Sequence, residues 1–168
     1  MAQTTGGVGD GIGQGGGRGA EVLPEVLARH TAFLLSKAGQ MSREAFDRAV
    51  GPMGLKSRHY GAMAVLDADG PHAQRELGEK LRIDRSTMVA LVDDLEGMGL
   101  VKRRRDREDR RRYELTLTDA GRRTLSEAGA LVEGVQEKVL APLDEAQRRE
   151  LHGLLVVLLR GAEHSRRD

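Results

Sequence analysis

From Lys102 to Arg112, eight of eleven residues are basic (Lys102, Arg103, Arg104, Arg105, Arg107, Arg110, Arg111 and Arg112), against Asp106, Glu108 and Asp109. This tract carries +5 in a chain whose formal total is +1, so the remaining residues sum to −4. A near-neutral body with one cationic projection is the charge distribution of a polyanion binder. Upstream, Asp84-Arg85-Ser86-Thr87 sets a carboxylate, a guanidinium and two hydroxyls side by side. The carboxylate can cap a helix, arginine can read guanine, and hydroxyls can serve bases or phosphates, although Ser86 has a competing use in satisfying the free amides of the helix. Such chemistry is recognition. Ser, His and Asp are all present, but no Gly-x-Ser-x-Gly elbow or other ordered catalytic motif fixes them, so the chain does not read as an enzyme.

These groups need elements that hold them. After Asp84, Met88, Leu91, Val92 and Leu95 repeat at i, i+3, i+4, i+7, which predicts an amphipathic helix with Arg85, Ser86, Val89, Ala90 and Asp93 on or near its other side. Gly97 and Gly99 stop it. A shorter helix over Gln74–Lys80, with Leu77 and Leu81 inward, precedes it, so Gln74 to Glu96 has a helix-turn-helix layout whose second helix enters the major groove N-terminus first. Leu100–Arg103 and Tyr113–Leu117 read as an antiparallel hairpin with a charged tip, a wing that reaches the neighbouring minor groove. A charged run is ordinarily a solvated loop; its place between two strands and after a capped helix favours DNA contact.

Around this unit, the spacing predicts one long helix from Pro24 to Val50, ended by Gly51-Pro52, and another from Ser57 to Asp69-Gly70-Pro71. Thr118 caps a helix to about Leu140, and Asp144-Glu145-Ala146-Gln147 is a capping box for the last. That helix holds Leu151, Leu154, Leu155, Val156, Val157, Leu158 and Leu159, apolar nearly all round, so it needs a second subunit, with the opening helix as its partner. The first twenty residues carry nine of the 22 glycines and too little apolar surface to order themselves, so they read as a disordered tail. Their Gly11-Ile12-Gly13-Gln14-Gly15-Gly16 lacks the strand and helix that a dinucleotide loop requires. Cysteine is absent, which excludes disulfides, thiolate metal sites and thiol redox switching. No apolar run reaches membrane-spanning length and no secretory pattern opens the chain, so a cytoplasmic location without membrane partners is expected.

Asp84-Arg85-Ser86-Thr87, Leu91-Val92-Asp93-x-Leu95-Glu96, Gly99-Leu100-Val101-x-Arg103, Asp109-Arg110-Arg111 and Leu115-Thr116-Leu117-Thr118-x-x-Gly121 occur in that order, with Gly54-Leu55 and Gln74-x-Glu76-Leu77 upstream. Together they resemble the MarR (multiple antibiotic resistance regulator) family. The resemblance implies an α+β, mainly α fold: a winged helix-turn-helix domain over 54–121, and a dimerisation region formed by an N-terminal helix over 21–53 and C-terminal helices over 122–168. It implies a homodimeric regulator that binds a pseudo-palindromic operator in double-stranded DNA, usually as a repressor released by a small phenolic or aromatic acid, by oxidation or by metal. By family position Asp109 braces the wing and Arg111 inserts into the minor groove, with Arg110 beside it. The DNA-binding set is then Gln74, Arg85, Ser86, Thr87, Arg104, Arg105, Arg107, Arg110 and Arg111. The chain departs from the pattern at Ala90 and Asp94, where basic residues are common, and at Ala73, where a Ser or Thr cap is usual. Asp93, Asp94 and Glu96 make the later recognition helix acidic, which directs electrostatic grip to the wing.

The five histidines form no metal set: no pair lies at i, i+4 on one helix. His30, Phe33, His59 and Met63 lie where the family's effector cleft would be, although packing is the plainer role for each. No cofactor is implied. The competing readings are a sequence-neutral architectural DNA binder, a metal-responsive regulator of the same fold, and a winged-helix protein-interaction module.

Overall fold

In a computed structural model of the chain, the structure describes residues 24–105 and 113–164. The disordered tail expected over 1–20 and the wing tip lie outside the described residues. Contacts divide the chain into two units, Met1–Lys37 and Ala38–Asp168. In the first, α1 (Glu25–Ala28) follows Pro24, and α2 (Thr31–Val50) starts after Arg29 and His30. The single helix expected from Pro24 is therefore interrupted: the amide of His30 donates to Leu27 O, and a fresh set of helical bonds starts from the carbonyl of His30. Val26, Phe33, Leu34 and Leu35 are exposed.

In the second unit, α2 ends against Pro52, whose ring cannot continue the hydrogen-bond ladder, and a 3-10 turn, Gly51–Met53, follows. The Asp47 carboxylate accepts the Ser57 amide at 2.6 Å, and Phe46 meets Tyr60 edge-on at 5.3 Å, which fixes the start of α3 (Ser57–Ala68) against the end of α2. A two-residue strand, β1 (His72–Ala73), leads into α4 (Gln74–Leu81). With no side-chain cap available from Ala73, Glu76 reaches back to accept the Ala73 amide. Then come α5 (Arg85–Gly97), β2 (Val101–Arg105), β3 (Tyr113–Leu117), α6 (Asp119–Val139) and α7 (Glu145–His164).

The sheet is antiparallel in the order β1-β3-β2, with His72 opposite Leu115 and Arg103 opposite Leu115 on the other side. The hairpin was expected; β1 was not, because two residues carry no period. The winged helix-turn-helix is thus present, in a mainly helical α+β chain. Its core joins Val50, Leu55, Met63, Leu66, Leu77, Leu100, Leu115 and Leu117 to Met88, Leu91, Val92 and Leu95, the predicted inner stripe of α5. Burial of that stripe contributes roughly 1.5–3 kcal/mol per side chain and holds the helix by one face.

Both α6 and α7 start as their sequences specify. Thr118 Oγ1 accepts the Gly121 amide at 2.9 Å and donates to the carbonyl of Gly99 at 2.8 Å, so the cap of α6 also closes the base of the wing. Asp144 and Gln147 exchange amide bonds at 2.9 and 3.0 Å. Gly121 is required by space: a Cβ there would lie 2.1 Å from Leu100 O and 2.8 Å from Leu117 Cδ1. Gly121→Ala should therefore destabilise the fold by about 3 kcal/mol despite alanine's better helix propensity. Urea unfolding checks this; an unchanged midpoint would show that the helix shifts freely against the strands.

Candidate nucleic-acid interface

The N-terminus of α5 is built around Asp84. Its carboxylate accepts the Ser86 hydroxyl at 2.6 Å and the Thr87 amide at 2.9 Å, and these bonds hold its carboxyl well below the usual carboxylate range. The predicted cap is therefore present, with a consequence for Ser86: having given its proton to Asp84, its Oγ faces outward only as an acceptor. In that state it suits base amino groups better than phosphate oxygens. Arg85, exposed beside it, makes no ion pair with another described residue. Ser86, Val89, Ala90 and Asp93 share its exposed side of the helix.

The acidic end of α5 is an anchor. Arg103, on β2, donates through Nη2 to Asp93 at 2.9 Å and through Nη1 to Glu96, while Glu96 also accepts the Arg103 amide at 2.9 Å. Gln74 Oε1 lies 3.4 Å from the same guanidinium. One arginine of the basic tract thus ties the wing to the start of α4 and the end of α5. Gln74, expected at the DNA, is drawn into this contact. Charge counting could not separate Arg103 from its neighbours; the usable signal was Asp93 and Glu96 at i, i+3, one face of a helix that feeds straight into the strand.

Arg104 is exposed and makes no ion pair with a described residue; Arg105 lies 5.9 Å from the ring centre of Tyr113, its antiparallel partner. Arg107, Asp109, Arg110 and Arg111 lie outside the described residues.

The opposite side of α5 is held by α3. His59 is buried, accepts the Lys56 amide through Nδ1 at 3.2 Å, and points Nε2 at Asp94 Oδ2, 3.4 Å away; Arg58 lies 3.7 Å from the same carboxylate oxygen. Because Nδ1 accepts, the proton of the neutral ring sits on Nε2. Burial, with the Arg58 charge adding to it, pushes the His59 pKa down.

Of the four residues expected at an effector cleft, two lie in the second unit and two in the first. Met63 is wholly buried in the core, and His59 serves as a helix cap and strut. His30 and Phe33, in the first unit, are exposed. Among the described residues no cluster of three metal-ligating side chains occurs.

A family model for MarR matches residues 53–112, the span of the helix-turn-helix and the first part of the wing. A Thauera aromatica protein described as a transcriptional regulator for the hcr operon is 30% identical over 142 residues, 84% of this chain and 86% of its own. The chain belongs to the MarR family. Among solved structures, the transcriptional repressor CouR bound to a 23-mer DNA duplex is 32% identical, with a TM-score of 0.76 over 83% of this chain and 99% of CouR. CouR from Rhodococcus jostii RHA1 bound to p-coumaroyl-CoA is 31% identical, with a TM-score of 0.68 over 77% of this chain and 91% of that one. As a MarR-family winged helix-turn-helix protein, the chain is a DNA-binding transcriptional regulator, and its relatives are regulators rather than enzymes. Among the described residues no helix is long and apolar enough to cross a membrane.

Two measurements test this geometry. Glu96→Gln keeps the shape but weakens the grip on Arg103; it should lower stability by about 1 kcal/mol and reduce DNA affinity without changing helix content. Unaltered affinity would show that the wing needs no anchor on α5. At His59 the fold favours the neutral ring, so the unfolded chain takes up a proton at higher pH than the folded one. This contribution to stability is therefore complete above the ordinary histidine range and is lost as pH falls through it. Urea midpoints of the wild type should drop between about pH 7.5 and 5.5, and His59→Gln, which can still cap Lys56, should flatten that drop. Parallel pH profiles would exclude the strut.

Proposed function

We propose that this chain is a homodimeric repressor that reads a pseudo-palindromic operator and is released by a small organic ligand. The observation that carries this reading is the fixed pairing of two unlike DNA-reading devices: Arg85 at the tip of α5, and the strand arginines of a wing locked to the same helix through Arg103. One element suits the major groove and the other the adjoining minor groove. Arg85, Ser86 and Thr87 supply base readout, and Arg104, Arg105, Arg107, Arg110 and Arg111 supply grip, with Asp109 bracing the tip and Gln74 supporting Arg103 beside the duplex.

The dimer reading is supported by α7. Leu154, Val157, Leu158 and Leu159 are all more than half exposed, a stripe too apolar to be left in water. Residues 21–53 and 122–168 supply the dimerisation region in this reading, and 54–121 the DNA-binding domain. For the ligand, an aromatic acid or its thioester is the class we favour, since CouR carries p-coumaroyl-CoA. No metal cluster among the described residues favours a metal switch over such a ligand.

Footprinting tests the whole. Two inverted half-sites centred about one helical turn apart are expected, from a protein that sediments as a dimer at micromolar concentration. Leu158→Glu should yield monomers and cost at least about 100-fold in affinity, since each half-site then binds alone. Continuous coating of DNA would favour an architectural protein, and no protection an interaction module. Aromatic acids and their thioesters should dissolve the footprint; release by stoichiometric zinc, reversed by chelator, would replace the ligand reading with a metal-responsive one.

A further inference from the structure

The exposed side of α5 carries Val89, 40% exposed, with Ala90 next to it. Nothing in the fold accounts for a valine here. It lies outside the core cluster, and a β-branched residue is a poorer helix former than alanine at a solvated position. The residues around it are ordered by charge. Arg85, one turn before Val89, is exposed and without an ion pair among the described residues; Ser86 offers an acceptor; and Asp93, one turn after, is drawn into an ion pair with Arg103 at 2.9 Å, which it shares with Glu96. Read along the helix, the face runs from a free cation through a hydroxyl acceptor and a small apolar spot to an ion-paired carboxylate. An aliphatic side chain flanked in this way matches the one apolar group that B-DNA displays in its major groove, the thymine C5 methyl.

We infer that Val89, with Ala90 leaving room for close approach, reads a thymine methyl in each half-site and so sets the operator's sequence at that position. This rests on the proposed docking of α5 in the major groove. A cation at the helix tip selects guanine and a methyl-sized apolar contact selects thymine, so the half-site should contain a guanine and a thymine read by successive turns of one helix. The acceptor of Ser86 lies beside Arg85 and suits an adenine or cytosine amino group in between.

The test starts from duplexes selected by the full-length protein out of a random pool, and resynthesises the best site with deoxyuridine for deoxythymidine, one position at a time. Removing the single methyl read by Val89 should weaken wild-type binding about fourfold. Val89→Ala, at an exposed position where alanine favours the helix, should fold normally by circular dichroism, bind the natural site with a similar loss, and show no further loss on the deoxyuridine duplex. If Val89→Ala binds normally, or still loses affinity on removal of the methyl, Val89 does not read it. The larger reading fails separately: a pool without any enriched sequence, or an Arg85→Ala protein with undiminished affinity, would remove base reading by α5 altogether. An enriched site that needs Arg85 but is indifferent to every thymine methyl would overturn only the inference about Val89.

Discussion

The three-way contact of Arg103 with Glu96, Asp93 and Gln74 is the constraint on which the rest of the DNA-binding surface depends. In the proposed docking, a helix that enters one groove and a hairpin that reaches the next must keep a fixed separation, yet only a short turn joins them. That turn uses Gly99 in the left-handed region at φ 71°, with the Leu100 amide returning to Leu95 O at 2.9 Å. Backbone bonds alone would leave the hairpin free to twist about its root. A planar guanidinium gripped by two carboxylates from successive turns of α5 removes that freedom, since the fork geometry fixes orientation as well as distance. Thr118 does the same from the other side of the wing, donating to the carbonyls at the end of the turn while capping α6.

This arrangement changes the meaning of the local charge. The tract from Lys102 to Arg112 sums to +5, but Arg103 is already neutralised by α5. The acidic residues of the recognition helix, which looked like a barrier to phosphates, are compensated in part: Asp93 and Glu96 share Arg103, and Asp94 pairs with Arg58 beside the neutral ring of His59. In the proposed docking, the positive potential offered to DNA therefore comes from Arg85 and the outer wing arginines, with the later part of α5 left only weakly acidic. Sequence-specific binding benefits from that balance, because a helix that attracted phosphates along its whole length would bind any duplex.

Much of this was legible before any coordinates. The inner stripe of α5, the caps at Asp84, Thr118 and Asp144, and the hairpin all follow from local rules, since a capping hydrogen bond or a helical period involves residues within a few positions of one another. What escaped was either too short to have a period, as with His72–Ala73, or was decided by partners distant in sequence. Arg103 is joined to Gln74 across 29 positions, and nothing in the arginine run distinguishes it from Arg104. The burial of His59 and Met63 likewise depends on how α3 packs under α5, which position along the chain does not reveal. The break at Arg29–His30 was hidden because the apolar positions on either side keep a helical spacing through it.

The recognition helix is consequently held on two flanks by polar contacts and from beneath by hydrophobic ones, and the flanks differ in kind. The Arg103 side joins α5 to the wing, so the two DNA-reading elements move as one piece. The Asp94 side joins α5 to α3, through a buried neutral histidine and a guanidinium that share one carboxylate oxygen. The Arg58–Asp94 ion pair, at 3.7 Å and partly exposed, contributes up to about 1 kcal/mol, within reach of the differential affinity by which a ligand shifts a two-state equilibrium. A displacement of α3 must then either carry α5 and the wing with it or rupture the Asp94 contacts at that cost. Because α5 and the wing are rigidly coupled to each other, either outcome re-aims the whole reading surface rather than one side chain. In the proposed dimer, a small rotation at α3 would take two half-site contacts out of register together.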